Sequence, residues 1–304
     1  TPIDEYLNPK TNLFLKSLNN YIKFFSPNQN IIIRSSVYPG ICDILYENLK
    51  RKKIKNLSYC PERIVQGQAI SEINDLPQII SGYSSNGINL SIRLFKNICR
   101  HHLVCSVKEA ELIKLFSNSW RYVSFAIANQ FMTICEDNNI SYNELRKKMT
   151  FKYNRAKSIP YAGFAAGPCL LKDTMQLLSF SRNNFSLGNS SMLVNEGLVL
   201  YLVDKLESKY NLKSKNVGLL GMAFKAECDD TRSSLSYKMK KFLLPRVNKL
   251  FCTDPYVKTD KELSSLNQTI KESDILILCV PHKKYKKLNM KNKDFIDIWG
   301  YIKK

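Results

Sequence analysis

NVGLLGMAFKAECDDTRSSLSYKMKKFLL, residues 216–244, is an apolar run that stops at a glycine, crosses a polar segment and resumes with apolar residues at helical spacing. Val217 to Leu220 reads as a buried strand, Gly221 as its turn, and Thr231 to Leu244 as the helix that follows. Leu250–Asp254, Asp274–Val280 and Phe295–Ile298 are further apolar runs of strand length, so the segment opens a Rossmann-like half.

The same alternation stands at the other end of the chain. Asn30 to Arg34 is a short apolar run closed by Ser35, Ser36, Pro39 and Gly40. A helix-like stretch follows to about Lys53, then Asn56–Cys60 and Gln78–Gly82 as two more strands. Strands alternating with helices predict an α/β fold built on parallel, doubly wound sheets. Between the halves, Val107–Glu136 holds neither Pro nor Gly and is apolar on nearly every side. Such a helix is expected to be buried, as a connector between domains or in a subunit interface. Its polar exceptions Lys114, Asn118 and Arg121 fall at i, i+4 and i+7 and share one stripe.

Bulk properties narrow the class. The 304 residues, 44% hydrophobic against 24% charged, make a globular chain with room for two or three compact units and exclude a disordered one. No apolar run approaches the ~20 residues of a bilayer span, and Thr1-Pro2-Ile3-Asp4 lacks the order of a signal peptide, so a cytoplasmic protein is expected. Nine cysteines, an odd number without a CxxC pair, fit a reducing compartment rather than a disulfide or zinc framework, and no metal site is expected. The formal charge of +20 is spread along the whole chain, with its densest clusters at Lys50–Lys53 and Lys283–Lys287. That distribution suits a solvated surface and an anionic small substrate better than a nucleic-acid face.

The most unusual segment is YAGFAAGPCLLKDTMQL, residues 161–177. Small residues and a proline precede Cys169, which lets the backbone turn tightly against a ligand, and Lys172 and Asp173 follow at once. A reactive thiolate needs nearby positive charge, and covalent catalysis needs a group that activates water; both kinds are present.

Four further blocks accompany it: IIIRSSVYPG (31–40), CPERIVQGQAISEI (60–73), AELIKLFSNSWRYVSFAIANQ (110–130) and VGLLGMAFKAECDDTRSSLSYKM (217–239). In sequence and in order, these five blocks resemble the nucleotide-sugar 6-dehydrogenases of the UDP-glucose/UDP-N-acetylmannosamine (GDP-mannose) dehydrogenase family. The resemblance implies two Rossmann-like parallel-sheet domains joined by a long central helix. Residues 1–106 would be part of an NAD-binding domain, 107–212 a helical linker and dimerisation domain with the cysteine loop, and 213–304 a UDP-sugar-binding domain. It implies NAD-dependent oxidation of a UDP-sugar C6 alcohol to the carboxylate, for surface polysaccharide precursors, by a homodimer formed through the central helix, with no nucleic-acid or membrane partner.

The matching residues take roles from the family. Cys169 would be the nucleophile, Lys114 and Asn118 the oxyanion donors, Asp173 the water-positioning base, and Glu62 a further acid/base or water-organising carboxylate, with the Ser36 hydroxyl beside them. Thr1, Ser36 and Arg232 would contact the cofactor; Lys225, Phe224, Gly167 and Lys114 would contact the substrate. Departures also stand out. Ser36 replaces the usual Thr, Ala166-Gly167-Pro168-Cys169 replaces Gly-Gly-His-Cys, and Gln66 stands where some members have Glu. No GxGxxG strand-turn-helix precedes Thr1-Pro2, so the chain is expected to lack the first strands of the cofactor domain, to bind NAD poorly and, on its own, to be inactive. The alternative reading is a non-catalytic nucleotide-sugar-binding or dimerisation fragment. The sugar stays open among glucose, N-acetylmannosamine and N-acetylglucosamine or galactosamine.

Overall fold

A computed structural model of the chain describes residues 3–4, 7–67, 69–288 and 293–302. It divides into two compact units, residues 1–120 with 172–188, and residues 121–171 with 189–304.

The first unit runs α1 (Thr11–Ile22), β1 (Asn30–Ile33), α2 (Ile41–Lys50), β2 (Asn56–Tyr59), α3 (Ala69–Glu72), β3 (Gln78–Gly82), α4 (Ser85–Phe95) and β4 (His102–Val104). Its described strands form one sheet in the order β1-β2-β3-β4. α2 carries Ile41, Cys42, Leu45 and Leu49 on one buried face, which packs the crossover that returns β2 parallel to β1, Asn30 opposite Asn56. Full burial of Leu45 and Leu49 contributes roughly 2 kcal/mol each. α4 does the same between β3 and β4; its small residues Gly87 and Ser91 let Asn30 Nδ2 reach the Gly87 carbonyl at 3.1 Å and Ser91 Oγ at 3.0 Å. The expectation of a wholly parallel sheet fails at one pair. β2 and β3 run antiparallel, Ser58 opposite Gly82, because among the described residues the connection between them carries only the four-residue α3, which buries no side chain and cannot act as a packed crossover.

α5 (Val107–Asp137) spans the expected helix to within a residue. It is not buried all round. Ala110, Glu111, Leu115, Asn118, Tyr122, Ala126, Asn129 and Met132 face inward, while Phe116, Trp120, Ile127, Phe131 and Ile134 are 40–67% exposed in the single chain. Apolar residues on every side did not distinguish a face packed within the chain from one left open.

α6 (Tyr142–Thr150), α7 (Leu170–Phe180) and α8 (Ser186–Lys209) follow. Next come β5 (Asn216–Leu220), α9 (Leu235–Leu243), β6 (Lys249–Thr253), α10 (Leu266–Glu272), β7 (Ile275–Leu278) and β8 (Asp294–Asp297). The second sheet is parallel throughout, in the order β6-β5-β7-β8, with Val217 opposite Leu250 on one side and Ile275 on the other. The chain leaves β5 for the strand on one side and returns to β7 on the other, so the carboxyl ends of β5 and β7 flank the crevice where such sheets bind ligands. Val217, Leu219, Ile275 and Ile277 pack on the α8 side against Leu198, Val199 and Leu202; Leu220, Leu276 and Leu278 pack on the opposite face with Tyr285. The helix expected from Thr231 starts at Leu235, where Ser234 caps it by accepting from Ser236 N. Residues 221–234 are therefore a loop on the crevice. The α/β architecture with parallel-sheet regions and a long central helix is as expected. Among the described residues no helix is long and apolar enough to cross a membrane.

Candidate active site

In the first unit, the loop after β1 is fastened to α5 by a residue to which the sequence reading gave no role. Glu111 is 2% exposed, and its carboxylate accepts Gly40 N–H at 2.7 Å and Cys42 N–H at 3.1 Å, two orphan donors at the start of α2. Burial pushes the Glu111 carboxyl above its ordinary range, and the same amide bonds oppose that shift. Two turns further along α5, Asn118 donates its amide to Asp173 Oδ2 at 2.5 Å, and Ser36 Oγ reaches the same oxygen at 3.4 Å. Asp173 has no exposed surface and sits in the first turn of α7; Lys172 Nζ lies 3.3 Å from its other oxygen, Oδ1. A buried carboxylate is tolerated only with such partners, and here two come from segments distant in sequence and the third from the neighbouring residue.

Lys114 is half-buried one turn before Asn118, on the same stripe of α5. Arg121, the third member of the expected stripe, is exposed. Glu62 forms an ion pair with Arg34, and its Oε1 accepts the N–H groups of Arg63 and Ile64, each at 2.8 Å. The Arg34 guanidinium also lies over the Phe95 ring at 4.9 Å and donates to Gln78 Oε1. Glu62 is thus engaged in holding the loop after β2. Thr1 lies outside the described residues.

The second unit carries Cys169, the exposed one of nine free cysteines. Burial pushes the Cys60 thiol up to about 11 and Cys252 up to about 12, which leaves those thiols inert at neutral pH. The loop that presents Cys169 is clamped at Gly167. Its N–H donates to Ser233 O at 3.3 Å, its φ is +105°, and a Cβ built there would lie 2.4 Å from Phe224 Cδ2. No other residue fits both the backbone conformation and the ring. The cysteine loop is thereby joined to the 221–234 loop, which also carries Arg232.

That second loop closes on itself through Phe224 N–H to Asp230 O at 2.9 Å. Asp230 also grips the Arg232 guanidinium, Nη2 to Oδ2 at 2.6 Å and Nε to Oδ1 at 3.0 Å. Lys225 is half-buried beside Phe224. At the base, Asp254 Oδ2 accepts Met222 N–H at 2.7 Å and Ala223 N–H at 2.9 Å, while Oδ1 accepts from Tyr256 and Val257. His282 Nδ1 accepts Glu227 N–H at 3.0 Å, which leaves the proton on Nε2, 3.1 Å from Asp254 Oδ2. Burial alone would raise the Asp254 carboxyl, but the His282 bond and the backbone amides hold it down to about 2.

A "UDP-glucose/GDP-mannose dehydrogenase family, central domain" model matches residues 108–196, and the "UDP binding domain" model of the same family matches 218–304. The chain belongs to the UDP-glucose/GDP-mannose dehydrogenase family. Among curated relatives of this dehydrogenase family, UDP-N-acetyl-D-mannosamine dehydrogenase of Methanocaldococcus jannaschii is 26% identical over 293 residues, covering 95% of this chain and 68% of the relative. The enzyme of that name from Pyrococcus horikoshii is 28% identical, covering 90% and 69%. The solved structure of UDP-D-ManNAc dehydrogenase from Pyrococcus horikoshii superposes with a TM-score of 0.89 at 24% identity, over all of this chain and 76% of that one. The Staphylococcus aureus UDP-N-acetyl-mannosamine dehydrogenase Cap5O gives 0.86 at 21%, over all of this chain and 77% of that one. The family's UDP-binding region contains the loop built on Asp254 and His282, and its central region contains Glu111, Asn118, Cys169 and Asp173. Asp254 and His282 escaped the sequence reading, although an acid at the carboxyl end of a strand in such a sheet is itself a signal. Glu111, an acid on an otherwise apolar helix face, was a second one.

Proposed function

We propose that this protein oxidises the C6 alcohol of a UDP-sugar to the carboxylate, with NAD as hydride acceptor and Cys169 as nucleophile, and that UDP-N-acetylmannosamine is the first substrate to test. The observation that carries the reading is the clamp at Gly167, which joins the loop of the one exposed cysteine to Phe224 and Ser233 of the UDP-binding region. The substrate choice is supported by the names of the relatives.

In this reading the nucleotide engages Phe224 and Lys225, and Gly167 and Lys114 face the sugar. Ser36 and Arg232 have the donor chemistry to hold NAD: a hydroxyl in the loop after β1, and a 69% exposed guanidinium fixed by Asp230. When bound, NAD supplies the acceptor for two hydrides in succession. Cys169 Sγ adds to the aldehyde carbon of the first oxidation, forming a C–S bond while the oxygen takes up a proton. Loss of hydride from that carbon and of the hydroxyl proton leaves a thioester, and water then breaks the C–S bond to give carboxylate and thiol. Lys114 and Asn118 donate to the oxyanion of each tetrahedral stage. Asp173, held by Asn118 and Ser36, orients and deprotonates the water. Glu62, paired with Arg34 in the loop after β2, is the further acid/base or water-organising carboxylate. Residues 1–106 serve the cofactor, 107–212 the linker and dimer contact, and 213–304 the UDP-sugar. The exposed Ile127, Phe131 and Ile134 of α5 and Leu193 and Leu200 of α8 supply apolar area for a homodimer. The free thiols and the anionic substrate suit a cytoplasmic enzyme that makes precursors of surface polysaccharides.

Two assays test the reading. At a concentration about a hundredfold above Kd, UDP-N-acetylmannosamine should stabilise the chain by about 2.7 kcal/mol, ahead of a panel of other UDP-sugars. With a GxGxxG-bearing cofactor segment joined ahead of Thr1, turnover should yield two NADH per sugar consumed, and Cys169→Ser should lose the second oxidation. Full two-step turnover by that variant, or no response to any UDP-sugar, contradicts it.

A further inference from the structure

The Gly163 end of the cysteine loop is held by a buried polar relay. Gly163 N–H donates to Asn129 Oδ1 of α5 at 2.8 Å, Asn129 Nδ2 donates to Asn195 Oδ1 of α8 at 2.9 Å, and Asn195 Nδ2 donates to the Tyr122 carbonyl at 3.0 Å. Both asparagines have no exposed surface, and apolar neighbours Ala128, Met132, Leu198 and Val199 surround that part of the two helices. Each atom's role is forced. An N–H can only donate, so Asn129 must present its oxygen to Gly163 and its NH2 to Asn195, which must in turn present oxygen to Asn129 and NH2 to a carbonyl.

Two helices need no such relay to pack. A pair of apolar side chains would join α5 to α8 without the desolvation that two buried amides incur, a few kcal/mol unless every bond is made. What the amides add is one acceptor of fixed direction aimed at the loop. Trp299 closes over the same point: a Cβ on Gly163 would lie 2.3 Å from its Cε3, and its indole N–H is fixed to Cys279 O at 2.8 Å. With Gly167 clamped by Ser233 and Phe224, the segment 163–167 is suspended between two anchors, and Phe164 and Ala165 are buried between them.

We propose that Asn129 and Asn195 are positioning residues for Cys169, holding the Gly163 end of its loop in register. The inference rests on the reading of Cys169 as nucleophile, but its test needs neither ligand nor turnover. On the unliganded chain, Cys169 alkylation by iodoacetamide is followed by peptide mass spectrometry, alongside amide hydrogen exchange of the 161–169 peptide. Asn129→Ala removes the acceptor. It should speed exchange in that peptide about tenfold and change the Cys169 alkylation rate about threefold or more, with the β5–β7 peptides unaltered. Asn195→Ala leaves the Gly163 bond but frees the Asn129 amide to turn, so its effect should be smaller. Should Asn129→Ala fail to fold, Gly163→Ala, which lies outside both helices and pushes against Trp299, should reproduce both effects. Exchange and alkylation within about 1.5-fold of wild type in whichever variant folds overturns the proposal and leaves the relay a helix-packing contact. If instead the variants behave as expected but UDP-N-acetylmannosamine, shown by melting to be bound, leaves wild-type Cys169 alkylation unchanged, the positioning stands and the nucleophile reading fails.

Discussion

Asp254→Asn removes the charge at the base of the 221–234 loop while keeping the side chain's size. The native carboxylate accepts four backbone N–H groups and the His282 Nε2 proton. Its fall from 3.8 to about 2, at about 1.4 kcal/mol per unit, corresponds to roughly 2.5 kcal/mol of stability. In the variant, one side-chain atom becomes an NH2 that faces either the Met222 and Ala223 pair or the Tyr256 and Val257 pair, donor against donor. Because the folded value lies below the unfolded one, the contribution is present above about pH 4 and is lost as pH falls through about 2. Denaturant unfolding of wild type and variant should differ by roughly 2.5 kcal/mol at pH 7, a shift of about 5–10 °C in melting temperature, and the gap should narrow steadily below pH 4. The variant should also respond more weakly to UDP, since Met222 and Ala223 lead directly into Phe224 and Lys225. A gap under about 1 kcal/mol at pH 7, or one equally large at pH 2, would refute the reasoning.

Three further outcomes are expected. Gly167→Ala combines a left-handed backbone with overlap of the Phe224 ring, so it should cost about 2–4 kcal/mol, measurable by thermal melting, or else expel the loop and abolish turnover. Glu111→Gln turns an NH2 toward either Gly40 or Cys42 N–H and should destabilise the first unit by about 1–3 kcal/mol in urea unfolding. Asp173→Asn keeps an oxygen that can accept from Asn118, so the fold should survive in circular dichroism, while in a chain joined to a GxGxxG-bearing cofactor segment turnover falls by about a hundredfold or more.

Much of the fold was legible because burial imposes a pattern. The apolar runs at 30–33, 56–59 and 78–82 became β1, β2 and β3, and the long central helix ended within a residue of its expected limit. Direction was not legible at β2–β3, since whether a connection packs as a crossover depends on tertiary contacts that α3 does not make. The outer face of α5 carries apolar residues like the inner one, and periodicity does not say which stripe the chain itself covers. At the site, the small residues before Cys169 signalled close approach, but not that Phe224 and Ser233 are the approaching groups. Asn129 and Asn195, 66 residues apart, offered no local signal, because a buried amide pair is recognisable only when both members are seen together.

The most direct measurement is the alkylation rate of Cys169 with and without saturating UDP-N-acetylmannosamine, resolved peptide by peptide so that the other eight thiols serve as internal controls. Strong protection of Cys169 with the rest unchanged is the expected result. An unprotected Cys169 on a chain whose melting temperature shows the nucleotide sugar bound would contradict the assignment.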